Sequence, residues 1–106
     1  MLNRFLELVS GDTLSFKIVV KDGASPVDVS LATFTGGIRQ PSSFGLIALF
    51  DFEVVDAANG VVRAVMGPDK TKFIQNPNMM YEWYVKMEVE EYSKTLCFGG
   101  LKVTRL

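Results

Sequence analysis

Paired carboxylates are the first side chains in this sequence with a spacing suited to chemistry: Asp51 with Glu53, and Glu88 with Glu90. On a strand, residues two apart share a face, so each pair presents both acids together, as a glycosidase would need. Phe52 and Val89 stand between them, and an apolar opposite face makes each pair read more simply as a solvated outer surface. The chain has no histidine, which removes the commonest general base and both the Ser–His and Cys–His nucleophile pairs. Its single cysteine, Cys97, can form neither an internal disulfide nor a thiolate zinc site. Within Leu96-Cys97-Phe98 it reads as a small buried hydrophobe. No acid-rich loop resembles an EF-hand, and no G-x-S-x-G, P-loop or G-x-G-x-x-G occurs. The expectation is a non-enzyme with no catalytic residue, no cofactor and no metal.

Aromatic residues offer binding chemistry instead, since they stack on sugars and anchor interfaces. Trp83 falls on the apolar face of an alternating segment and is expected in the core, near Val85 and Phe16, Phe50 or Phe52. Tyr84 points the other way, with Glu82 and Lys86, and Tyr92 falls in an expected turn. Those two tyrosines are the better contact candidates. A second candidate group is the apolar N-terminus, where Leu2, Phe5, Leu6, Leu8 and Val9 are denser than the first residues of an isolated domain usually are.

The elements that position these residues read as strands, because apolar residues recur with period two almost everywhere. Residues 13–20 set Leu14, Phe16, Ile18 and Val20 on one face; Lys21-Asp22-Gly23 turns the chain, and 26–29 is a short extended piece. Residues 33–39 form a strand whose Gly36-Gly37 signals a bulge or a close backbone approach. After a loop over 40–45, residues 47–55 read as one strand, and Asp56-Ala57-Ala58-Asn59-Gly60 closes a hairpin onto 61–66. Residues 69–74 suit one helical turn capped by Asp69. The clearest strand is 81–89, with Tyr81, Trp83, Val85, Met87 and Val89 on one face. Residues 90–93 turn the chain and 94–105 return, with Gly99-Gly100 as the expected bulge. Strands and turns at about 8–12-residue spacing predict an Ig-like antiparallel β-sandwich of about seven to eight strands.

At 106 residues, with 48% of them in the set AVILMFWYC, the chain is sized and composed for one domain with its own core. Eleven basic residues against twelve acidic ones leave a net charge of −1 and no basic stripe, so nucleic acid is not an expected partner. The first residues are too polar for a signal peptide, and no apolar run approaches ~20 residues, so a membrane is not expected either. The expected location is a cytoplasm, or a particle assembled there.

The order of several short stretches is similar to a known family. Gly11-Asp12-Thr13-Leu14-Ser15-Phe16 opens the series, followed by Asp22-Gly23, Pro26-Val27-Asp28-Val29-Ser30 and Gly37-Ile38-Arg39. Asn59-Gly60-Val61-Val62, Thr71, Tyr81-x-Trp83 and Thr95-Leu96-x-x-Gly99-x-Leu101-x-Val103 complete it. This order resembles small Ig-like β-sandwich modules of tailed-bacteriophage virions, such as the N-terminal module of baseplate upper proteins, over about residues 10 to 104. Val29 and Ser30 depart from the family's usual Leu-Thr, and Gly99-Gly100 carries an extra glycine. The resemblance implies a virion structural subunit of the tail, baseplate or fibre attachment, present in several copies and docked on other virion proteins. A capsid decoration protein is the alternative within that class, and a carbohydrate-binding adhesin module is the alternative from another. Leu2, Phe5, Leu6, Leu8, Tyr84 and Tyr92 are the expected subunit contacts. Residues 1–9, an arm or edge strand, are expected to be dispensable for folding.

Overall fold

Alternation of apolar and polar side chains lets each strand bury one face, and here two sheets bury those faces against each other. The computed structural model describes residues 2–3, 5–40, 45–90 and 92–105, with side chains from residue 5 onward. The strands in chain order are β1 (Leu2–Asn3), β2 (Leu6–Val9), β3 (Leu14–Val19), β4 (Lys21–Asp22), β5 (Ser25–Pro26), β6 (Thr33–Arg39), β7 (Leu46–Leu49), β8 (Asp51–Asp56), β9 (Val61–Met66), β10 (Met80–Val89) and β11 (Tyr92–Thr104). A single helical turn, α1 (Pro68–Thr71), precedes β10.

The larger sheet has the order β1-β11-β10-β6-β7, with β2 also on β11; the smaller is β3-β9-β8, and β4 and β5 form a separate ribbon. In immunoglobulin lettering, with β1 and β2 as successive parts of the first strand, B, E and D form one sheet and G, F, C and C′ the other. The chain is therefore an all-β, Ig-like sandwich. Its pairings are antiparallel except that β1 and β2 run parallel to β11. A further Ig-like detail is Tyr81 at the start of β10, whose hydroxyl accepts a hydrogen bond from the Asn76 N–H at 3.2 Å. A tyrosine that ties the start of strand F to backbone upstream holds the E–F corner of Ig domains.

The core lies where the sheets face each other. Trp83 is 2% exposed and meets Phe16 of the opposite sheet edge-on, at a centroid distance of 5.2 Å. Phe16 in turn meets Phe50 at 5.4 Å. Val20, Val29, Val62 and Met87 form a smaller cluster at one end. Cys97 is buried, as its apolar neighbours predict. Gly60 has φ +69°, and a Cβ there would sit 2.6 Å from the Val20 and Val27 carbonyl oxygens, so the turn after β8 needs glycine on two grounds. Gly36 is a close approach, since a Cβ would meet the Tyr84 carbonyl oxygen. Beneath α1, Thr71 is buried, and its hydroxyl donates to the Asp12 carbonyl at 2.7 Å.

Several expectations are corrected. Residues 47–55 are not one strand: the chain leaves the larger sheet after Leu49 and joins the smaller at Asp51, pivoting on buried Phe50. Alternation cannot reveal that switch, because both sheets bury the same parity. The bulge in β11 is at Leu96, which has no opposite residue between the pairs Val85–Cys97 and Lys86–Thr95, whereas Gly99 and Gly100 pair in register with Trp83 and Glu82. Helix α1 starts from Gly67 rather than Asp69, because Pro68 takes the first helical position and leaves Asp69 in the first turn. Tyr92 begins β11, opposite Val89, and the turn is centred on Glu90 with φ +54°. Finally, of the arm or edge strand expected over 1–9, residues 6–9 form the strand, paired with β11, so their expected dispensability is the part that does not fit. Leu8 is only 4% exposed and belongs to the main core. The 41–44 part of the expected loop, Glu91 of the expected turn and Leu106 lie outside the described residues.

Candidate docking surfaces

Sheet order decides which strand edges face solvent. The smaller sheet ends on β3 and β8; the larger ends on β7 and on the β11 side. The crossing at Phe50 links β7 to β8 and ties that flank together. On the opposite flank the described residues of β1 and β2 pair with β11 at residues 97–98 and 101–104. The 92–96 stretch of β11 and the whole outer edge of β3 have no strand beside them among the described residues.

Between these two edges lies a cleft of about 630 Å³, walled by consecutive residues of β3 and by Tyr92, Lys94, Leu96 and Cys97 of β11. Phe16, Ile18 and Trp83 contribute its apolar interior, and Lys17, Lys21, Asp22 and Lys94 stand along it. On the other flank a shallower hollow of about 400 Å³ runs along β7, lined by Leu46, Ile47, Ala48, Leu49, Lys70 and Phe73. Phe73, following α1, is 68% exposed, and Leu46 and Leu49 are also exposed. Lys70 covers part of that edge, its Nζ donating to the Leu49 carbonyl at 3.0 Å and lying 3.5 Å from the Asp51 carboxylate.

The residues expected to make contacts do not form one surface. Phe5 is 53% exposed, over Gly100, where a Cβ would come within 3.6 Å of its ring. Leu6 is half-buried and packs on the core, and Leu8 is inside it, which removes Leu8 as a contact: parallel pairing with β11 turns its side chain between the sheets. The Leu2 side chain lies outside the described residues. Tyr84 is half-buried on the outer face beneath the Arg39 guanidinium, 5.1 Å from its ring, and Arg39 also reaches Glu82 at 3.7 Å. Tyr92 is 58% exposed and lines the cleft, far from the Tyr84 cluster in strand register.

The carboxylate pairs lie at the surface. Asp51, Glu53, Glu88 and Glu90 are all exposed, and no group of three or more acids or cysteines among the described residues converges on a cation position. The Asp28 carboxyl is held below its ordinary value by the Ser30 backbone N–H, at 2.9 Å, and by the Ser30 hydroxyl. That is a local turn, with no second functional group beside it.

Sequence reasoning missed Lys17, Lys21 and Lys94 of the cleft, and Leu46, Leu49 and Phe73 of the hollow. Phe73 carried a signal, as a large apolar residue in a polar turn. The lysines carried none, since only the sheet order brings β3 and the start of β11 to one opening. No family model matches this chain, and no curated protein matches it.

Proposed function

We propose that this chain is a non-enzymatic structural subunit of a tailed-bacteriophage virion: an Ig-like module of the tail, baseplate or fibre-attachment region that docks on neighbouring virion proteins. The observation that carries a docking role is the apolar exposure along an open strand edge. Leu46, Leu49 and Phe73 stand exposed beside β7. Soluble domains usually blunt such edges with charge, and here Lys70 supplies only part of that protection. The virion setting comes from the resemblance, whose motifs run from Gly11-Asp12-Thr13 to Val103. A glycan-binding role has less support, because Arg39 covers Tyr84 and Tyr92 stands apart from it.

The test is mass spectrometry of purified particles, with antibody labelling in the electron microscope to locate the chain. The expected result is a stoichiometric virion component at the tail. Labelling over the capsid shell would replace the tail reading with a decoration role. Absence from particles would overturn both. Leu46→Glu with Phe73→Glu is expected to reduce retention on particles while leaving the circular dichroism spectrum unchanged.

A further inference from the structure

The open flank opposite β7 deepens the docking role and rests on that reading. In Ig domains of the constant type, a strand lies beside B in the smaller sheet. Here the first strand lies on β11 instead, and the place beside β3 has no strand among the described residues. The Val20 N–H donates to the Gly60 carbonyl at 2.8 Å, so Val20 turns its backbone toward the β9 side, while its carbonyl accepts from the Val27 N–H. Alternation along the ladder then turns the N–H and C=O groups of Ser15, Lys17 and Val19 away from β9, toward the open edge. An added strand would find a row of donors and acceptors there, and the cleft, with Phe16, Ile18 and Trp83 inside it, for its inward side chains.

Charge selects the kind of strand. Among the described residues that line the cleft, the charged side chains are Lys17, Lys21 and Lys94 with Asp22, on a chain whose net charge is −1. Across the smaller sheet Glu53 pairs with Arg63, and Arg63 with Lys17. Two cations directly opposite each other are unfavourable, and an acid beyond Lys17 would offset them. A second copy joining through the same edge would set Lys17 near Lys17, which argues against self-pairing.

We propose that this cleft receives a strand from a neighbouring protein: an extended segment of alternating apolar and acidic residues that pairs with the β3 edge, its apolar side chains in the cleft and its carboxylates on the outer face against Lys17 and Lys21. Main-chain bonds supply the attachment and the lysines the selectivity, as in other strand additions. Six residues of β3 offer room for a segment of ordinary strand length.

The test selects binders to the full chain from a library of linear peptides of about eight residues, then titrates the selected peptides as synthetic compounds. The expected binders are acidic with apolar residues at alternate positions, and their affinity falls with added salt. Lys17→Pro removes an outward N–H and no bond to β9, and it is expected to weaken binding by about tenfold or more. Lys17→Glu with Lys21→Glu is expected to do the same and keeps the test decisive if the proline variant does not fold. Neutral or basic binders, affinities indifferent to the charge reversals, or self-association that these variants abolish would each overturn the proposal. Particle membership is read separately. A chain retained on virions but indifferent to acidic peptides refutes the strand proposal alone. Acidic-peptide binding by a chain absent from particles refutes the virion reading alone.

Discussion

Replacing Trp83 with alanine removes the largest side chain buried between the two sheets. A buried tryptophan takes about 150–250 Å² out of water, worth roughly 4–6 kcal/mol at 25 cal/mol per Å². Alanine keeps the Cβ, which lowers that figure, while the edge-on contact with Phe16 at 5.2 Å adds about 1 kcal/mol to what is lost. The neighbours are poorly placed to close the gap, since Trp83 is held between Ile38 on β6 and Gly99 on β11 by two ladders. The expected cost is about 3–5 kcal/mol, a large share of the roughly 5–15 kcal/mol that holds a typical domain. The midpoint of thermal unfolding should fall by on the order of 15–30 °C. Trp83 is the chain's only tryptophan, so unfolding in urea is followed by far-ultraviolet circular dichroism, and an unchanged slope confirms that stability alone has moved. A loss below about 1 kcal/mol would refute the burial argument and with it the packing of β3 on β10.

Leu8→Ala is expected to cost about 2–4 kcal/mol in the same urea titration, because Leu8 is in the core; a neutral result would return residues 6–9 to a dispensable arm. Gly60→Val combines positive φ with contact against two carbonyl oxygens and should lose more than about 2 kcal/mol, whereas Asn59→Ala, at the exposed neighbouring position, should be far milder by thermal melting. Thr71→Val keeps the shape but strands the Asp12 carbonyl, with an expected loss of about 1–3 kcal/mol, and Thr71→Ser should recover most of it. Equal stability of those two variants would show that the hydroxyl contributes nothing.

What the sequence by itself determined is local. The β-branched run 33–39 and the hairpin arm 61–66 fall at the observed bounds of β6 and β9, and period-two alternation turned Trp83 inward, because side-chain direction on a strand depends only on parity. Asn59-Gly60 marked its turn because positive φ is a property of the residue that adopts it. The absence of histidine leaves this sequence without a Ser–His or Cys–His pair. Tertiary structure decided everything that depends on which strand lies beside which. Phe50 and Phe52 alternate with Asp51 and Glu53 without marking any change, so only the pairing of Leu49 with Gly37 and of Asp51 with Val65 shows the chain changing sheets at Phe50. Leu8 looked like part of an exposed apolar arm until parallel pairing with β11 turned it into the core. The cleft is the clearest case. Lys17, Lys21 and Lys94 are ordinary strand lysines in the sequence, and they share one opening because β3 ends one sheet and the first strand leaves the start of β11 uncovered in the other.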